Sequence, residues 1–444
     1  MHIHILGICG TFMAGIATIA KQLGHKVTGC DQNVYPPMST FLESQDIKII
    51  EGYDASQIVI NADLYVIGNV VSRGNPLMEK ILDKNLQFIS GPQWLHENVL
   101  KNKWVLAVSG THGKTTTTSM LTWILEEQNY KPDFLIGGIP KNMGVSARTQ
   151  EESNFFVIEA DEYDTAFFDK RSKFIHYYPK TLVINNIEFD HADIFENIEQ
   201  IQKHFHHLVR LVPSSGLLIT NALDKNIDKV ISMGHWTESQ KFNDSNGWHV
   251  LERSLMNKND EIGKFETEFY GEHNYSNALA AILAAQHVGV KPVDALKALS
   301  KFSLPARRLE KLYEDKNIVI LDDFAHHPSA ISSTLKTLKN EYQNKKIMAV
   351  IDPRSNTMKR GDLKNELVNS FLDANKVFFY NKDLKWDPYE ILRDKKIFIY
   401  EDIEKLYKAI TDQMNKECVI VFMSNGSFDG LQKKIKKYIA DEKK

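Results

Sequence analysis

The stretch AVSGTHGKTTTT, from Ala107 to Thr118, carries the strongest chemical signal in the sequence. An apolar strand delivers Gly110 and Gly113 into a tight loop, and Lys114-Thr115 open a helix. Loop amides and a helix N-terminus that point at one spot suit an anionic phosphate. Lys114 can neutralise β- and γ-phosphate oxygens, and the Thr115 hydroxyl can ligate Mg2+. Val108 stands where the full G-x-x-x-x-G-K-[ST] pattern has its first glycine. A plain glycine turn between strand and helix is the alternative.

Magnesium beside phosphates needs hard oxygen ligands, often carboxylates. VIEADEYD ends one strand with Glu159, Asp161, Glu162 and Asp164, and NNIEFDHADIF ends another with Glu188, Asp190, His191 and Asp193. One or two protein ligands suffice, so most of these acids are expected to cap helices or solvate loops. KHFHHLVR, Lys203 to Arg210, has the histidines of a zinc site but no cysteine or acidic partner at metal spacing, and reads as a helix surface.

A second phosphate-like turn opens the chain. HILGICGTFMAGIATIAKQLGHKVTGCD runs strand, glycine turn, helix and strand, and ends in Asp31. Dinucleotide sites use G-x-G-x-x-G and an acid about 20 residues further on. Here Gly7 and Gly10 are spaced G-x-x-G, so the pyrophosphate geometry survives while the fingerprint does not.

These residues need a scaffold. The chain has 444 residues, 43% of them hydrophobic and 25% charged, as in an ordinary globular protein, and a length for about two to four domains. Strand-like and helical runs alternate throughout, which predicts parallel sheets with ligands at the carboxyl ends of the strands. The simplest reading is three α/β domains over 1–100, 101–304 and 305–444. A net charge of −3 argues against nucleic-acid binding. The Lys-rich tail KKIKKYIADEKK is mixed in sign and reads as a solvated last helix. Three cysteines without C-x-x-C spacing, and a strand directly after Met1, lead us to expect a cytoplasmic protein. No apolar run reaches the ~20 residues of a membrane span.

Six ordered motifs, GTHGKTTTTSM, EADEYD, NNIEFDHADIF, GEHNYSNALAA, PARRLE and DDFAHHPSAI, resemble those of the Mur ligases, the ATP-dependent amide-forming enzymes of bacterial cell-wall synthesis. The resemblance covers essentially the whole chain. It implies a Rossmann-like N-terminal domain, a P-loop-type central ATPase domain and a Rossmann-like C-terminal domain. GNVVSRGNPLMEKIL, SGPQWLHENVL and DPRSNTMKRG are similar to the branch that joins UDP-N-acetylmuramic acid to L-alanyl-γ-D-glutamyl-meso-diaminopimelate in peptidoglycan recycling. The branch that adds only L-alanine is the alternative, and a catalytically inactive nucleotide-binding module is a second.

Residue by residue, the resemblance implies that ATP is held by Gly110, Thr111, His112, Gly113, Lys114, Thr115, Thr116, Asn274, Asn277, Arg308, Asp323 and His327. Thr115, Glu159 and His191 would hold Mg2+, and Lys114, His191, Arg308 and Asp323 would carry catalysis. Gly7, Gly10, Thr11, Asp31 and Asn69 would bind the UDP-sugar. Arg354, Ser355, Asn356 and Thr357, after the strand KKIMAVI, would offer a guanidinium fork and small donors to the carboxylates of the acceptor peptide. A turn that merely caps the next helix is the alternative for that segment. Small-molecule substrates, a monomer and no membrane insertion complete the expectation. Several Mur ligases carry a carbamylated lysine about 15 residues after the metal histidine. Here His206 stands nearest that place, which assigns the chain to the branch without the modification. Tyr178 and Lys180 stand where more arginine is expected.

Overall fold

A computed structural model describes residues 1–34, 38–414 and 417–442, so the last two residues of the basic tail lie outside it. Two compact units emerge: one comprises 1–188, 197–268 and 275–305, the other 189–196, 269–274 and 306–444.

Among the described residues the first unit contains two large sheets beside a two-stranded one. In the smaller of the large sheets, the order is Lys48–Glu51, Lys26–Asp31, His2–Leu6, Leu64–Ile67 and Phe88–Ser90, all parallel. Its first strand runs almost wholly buried and hands the chain through Gly7 to the helix Thr11–Gln22. Parallel strands covered on both faces are buried along their length, and here that burial takes in the polar His4.

The larger sheet has ten strands and is built around Trp104–Ser109, flanked by Thr181–Ile184 and Phe155–Ala160 in parallel register. Its edges turn antiparallel, at Ala147–Arg148 on one side and at Trp248–Leu251, Ser254–Asn257 and Asp260–Lys264 on the other. Those last strands are short and only partly buried, so they lack the long apolar runs that mark the central ones. A two-stranded hairpin, Asp164–Ala166 with Asp169–Ser172, stands apart from both sheets.

In the second unit a six-stranded sheet runs Glu310–Glu314, Ile318–Asp323, Cys418–Met423, Lys346–Ile351, Lys376–Tyr380 and Ile397–Tyr400. Alternate residues bury opposite faces. Val319, Leu321, Ala349, Phe379 and Val421 join one core, while Ile320, Met348, Val350, Phe378 and Phe422 join the other. This period of two fixes the register, because a one-residue slip would exchange the two cores.

Among the described residues no helix is long and apolar enough to cross a membrane. All three cysteines are free, Cys9 half-buried and Cys30 and Cys418 buried.

Candidate active site

The strand Trp104–Ser109 ends in Gly110, and the helix Lys114–Glu127 begins four residues later. The intervening loop is not held by phosphate-like contacts alone. Asn186 accepts from the His112 amide at 2.7 Å through its Oδ1 and from the Thr111 amide at 3.0 Å through its carbonyl. Its Nδ2 donates back to the His112 carbonyl at 3.1 Å. Two amides expected to face a ligand are therefore committed within the protein. Those of the first helical turn, at Lys114, Thr115 and Thr116, have no helical acceptor and remain for an anion.

Gly113 sits at φ +80°, and a Cβ there would come within 2.5 Å of Asn277 Oδ1. Asn277 in turn accepts from the Thr117 hydroxyl at 3.2 Å, and Asn185 Nδ2 donates to the same hydroxyl at 3.0 Å. Asn277 thus backs the loop from inside. Asn185 and Asn186 were missed in the sequence, since only strand pairing brings them under the loop, whereas Glu162 was among the acids expected beside the phosphates.

Lys114 Nζ donates to the Gly110 carbonyl at 2.6 Å and to Glu162 at 3.0 Å, with Asp161 at 3.8 Å. Burial by itself would lower its pKa, but Glu162, Asp161 and Glu159 more than offset this and raise it, so the ammonium stays charged. The Thr115 hydroxyl donates to Glu159 at 3.0 Å, and the Gly137 amide donates to the other Glu159 oxygen at 2.8 Å. Burial raises the Glu159 carboxyl above the usual range, and Lys114 and the Gly137 amide only partly oppose it. A hydroxyl and a carboxylate under that strain form a hard-oxygen pair that fits Mg2+. Thr116 is buried inside the helix, and Thr118 and Ser119 bond back to the carbonyls of Lys114 and Thr115.

At the N-terminal turn, Asp31 accepts from the Cys9 amide at 2.9 Å and from the Asn33 amide at 3.1 Å, so its carboxylate ties the turn to the second strand. Gly7, at φ +80°, lies under Val70, which a Cβ would approach to 2.7 Å. Gly10 precedes the helix that Thr11 begins, and Asn69 lies just beyond the strand Leu64–Ile67.

In the second unit, Asp323 accepts from the amides of Leu309 at 2.8 Å and Ala325 at 2.9 Å, and the Arg308 guanidinium lies 5.1 Å from the Phe324 ring. His327 caps the helix Pro328–Glu341 and pairs through Nε2 with the Phe189 carbonyl at 3.2 Å. Asn274 Nδ2 donates to the Tyr270 carbonyl at 2.7 Å. His191 adopts φ +56°, and its amide donates to Asp190 at 2.7 Å.

The DPRSNT segment is more internally committed than expected. Arg354 donates to Asp352 at 3.0 Å and to Asp429 at 2.9 Å. Ser355 caps the helix Asn356–Arg360, Asn356 donates to Asp193, and the buried Thr357 hydroxyl donates to Asp190 at 2.8 Å. Burial would raise Asp190, but His191, His326 and the Thr357 hydroxyl hold it down at about 2. In the KHFHHL helix, His204 pairs with Ser172 and His206 with the Gly234 carbonyl, as a packing surface does.

A glycine-lysine-threonine loop facing a carboxylate at the ends of neighbouring parallel strands is the layout of a nucleotide-using enzyme. Three family descriptions match the chain in order: the Mur ligase family catalytic domain over 2–102, the Mur ligase middle domain over 108–285 and the Mur ligase glutamate ligase domain over 307–426. The UDP-N-acetylmuramate--L-alanyl-gamma-D-glutamyl-meso-2,6-diaminoheptandioate ligase of Escherichia coli (strain K12) is 49% identical over 98% of this chain and 97% of its own. The crystal structure of a murein peptide ligase of Psychrobacter arcticus 273-4 covers 98% of each chain at 39% identity, with a TM-score of 0.75. A UDP-N-acetylmuramate--L-alanine ligase of Caldicellulosiruptor bescii is 34% identical over 92% of this chain and 88% of its own. The chain belongs to the Mur ligase family and is an ATP-dependent, ADP-forming ligase.

Proposed function

We propose that the enzyme joins the carboxylate of UDP-N-acetylmuramic acid to the amine of L-alanyl-γ-D-glutamyl-meso-diaminopimelate, with ATP converted to ADP and phosphate, in peptidoglycan recycling. The observation that carries this is 49% identity along almost the full chain to a ligase of that specificity, against 34% for the L-alanine-adding relative. The buried Lys114 among Glu159, Asp161 and Glu162 supports catalytic competence over the reading of an inactive nucleotide module.

The donor carboxylate attacks the γ-phosphorus of ATP, the bond to the bridging oxygen breaks, and ADP leaves from an acyl phosphate. The peptide amine then adds to the acyl carbon. A proton is lost from nitrogen, and the tetrahedral adduct collapses to amide and phosphate. Charge grows on the transferred oxygens, so stabilisation by fixed positive groups dominates. Lys114 and the helix amides of Thr115 and Thr116 supply it, with Gly110, Thr111, His112 and Gly113 shaping the loop. Mg2+, when bound, would shield phosphate charge, with Thr115, Glu159 and His191 as its protein ligands. ATP contacts are also assigned to Asn274, Asn277, His327, Arg308 and Asp323. Gly7, Gly10, Thr11, Asp31 and Asn69 take the UDP-sugar. Arg354, Ser355, Asn356 and Thr357 serve the acceptor side.

In this reading the chain divides at 1–100, 101–304 and 305–444, works as a cytoplasmic monomer on small molecules, and binds no nucleic acid. The test is phosphate release with ATP, Mg2+ and UDP-N-acetylmuramic acid, comparing the tripeptide with L-alanine. Efficient turnover with the tripeptide supports the proposal, and preference for L-alanine refutes it.

A further inference from the structure

Lys173 follows the hairpin Asp169–Ser172 and is only 8% exposed, an unusual burial for a lysine. Its amide donates to the Tyr163 carbonyl at 2.8 Å, which pulls the side chain inward. The ammonium lies 5.5 Å from the ring of Phe12 and 5.5 Å from that of Tyr163. Its anionic neighbour is Asp161, at 3.6 Å, and among the described residues no acceptor comes within hydrogen-bonding distance of Nζ. With Asp161 just beyond hydrogen-bonding distance, the three N–H groups of this ammonium have room for a further anion.

Both flanks of this ammonium are informative. Phe12 belongs to the first turn of the helix that follows Gly10, the turn assigned to the sugar nucleotide. Asp161 presents its other oxygen to Lys114 Nζ, at 3.8 Å. Lys173 therefore stands between the N-terminal glycine turn and the phosphate loop, within one compact unit. A donor whose pyrophosphate rests on the first must bring its carboxylate to the second.

We propose that Lys173 binds the carboxylate of the sugar-acid donor and orients one oxygen toward the γ-phosphate held by Lys114. The proposal rests on the ligase reading above. Asp161 accounts for the side chain's position, since its carboxylate lies between the ammonium groups of Lys114 and Lys173. Phe12 and Tyr163 flank the ammonium and add cation–π attraction without occupying its hydrogen-bonding sites.

The experiment is steady-state kinetics on Lys173→Met and Lys173→Arg beside the wild-type enzyme, with melting curves for all three. Methionine keeps the apolar stem between the two rings. The donor KM is expected to rise, or kcat to fall, by about tenfold or more in Lys173→Met, the scale of one charged hydrogen bond, while the KM for ATP and the melting point stay unchanged. Lys173→Arg is expected to recover part of the loss. A Lys173→Met enzyme with wild-type donor kinetics overturns the assignment. So does an equal loss of ATP affinity in both variants, which marks a structural ion pair. A wild-type enzyme without donor-dependent ADP release would instead refute the ligase reading itself, so the two failures are distinguishable.

Discussion

Thr115 and Glu159 face each other across neighbouring elements, the hydroxyl donating to the carboxylate at 3.0 Å. One residue opens the helix after the phosphate loop, and the other lies near the end of the strand beside the loop's own strand. Strand register alone brings them together, because Val108 pairs with Glu159. The pair supplies two oxygens of differing charge, and burial lifts the Glu159 carboxyl, so a bound cation would relieve it.

Removing the loop's cation should abolish turnover without unfolding the protein. Lys114→Met is expected to lower ADP release by about 100-fold or more, the scale at which one transition-state contact is lost. The circular dichroism spectrum should remain that of the wild type. A variant within threefold of wild type would place the phosphate elsewhere.

Gly113→Ala should damage the loop from behind. The residue is at φ +80°, and a methyl group would meet Asn277 Oδ1 at 2.5 Å. A cost of about 1–3 kcal/mol is expected from the backbone strain and the displaced asparagine. Urea unfolding measures it, and an unchanged midpoint would mean that the loop relaxes freely.

His4 gives a pH dependence of stability. Its ring is fully buried in the first strand, with Nδ1 paired to the Thr28 hydroxyl at 2.8 Å. Burial first, and then the neighbouring His2, lower its pKa from 6.5 to about 4. The native state therefore binds fewer protons than the unfolded chain between these values, and stability rises with pH there. The contribution is complete above pH 6.5 and is lost as pH falls through about 4, with a total of about 3 kcal/mol. Thermal melts from pH 7 to 4 on wild type and His4→Asn should converge as acid is added. Parallel curves would show that another group governs the acid limb.

Arg354 has a structural duty beside its proposed role. Asp352 is 1% exposed, burial raises its carboxyl, and the Arg354 guanidinium opposes that rise. Arg354→Ala should cost about 3 kcal/mol by leaving that charge unpaired. Acceptor recognition is therefore better tested with Asp429→Asn, which frees one face of the guanidinium while Asp352 keeps its partner. A fall in the tripeptide KM is expected, and calorimetry on the Arg354→Ala protein checks the stability claim.

The phosphate loop and its carboxylate were legible because each is a local pattern: a buried strand, a glycine turn and a charged side chain at a strand end. Alternating apolar runs likewise announced the parallel strands of all three sheets. Residues that act through pairing were not legible. Asn186 consumes the Thr111 and His112 amides only because the strand Thr181–Ile184 lies beside Trp104–Ser109. Lys173 carries no signal in the sequence, since nothing in RSKF shows that two aromatic rings flank it. The edge strands from Trp248 to Lys264 are too short to show a sustained pattern. Arg354 read as an open fork, while Asp352 and Asp429, the latter 75 positions away, already hold it.

The central claim is that the donor carboxylate is activated by phosphorylation. Turnover of UDP-N-acetylmuramic acid labelled with 18O in both carboxylate oxygens, followed by mass analysis of the phosphate released, tests it directly. One 18O is expected in each phosphate and one in the amide product. ADP formation with unlabelled phosphate would contradict it.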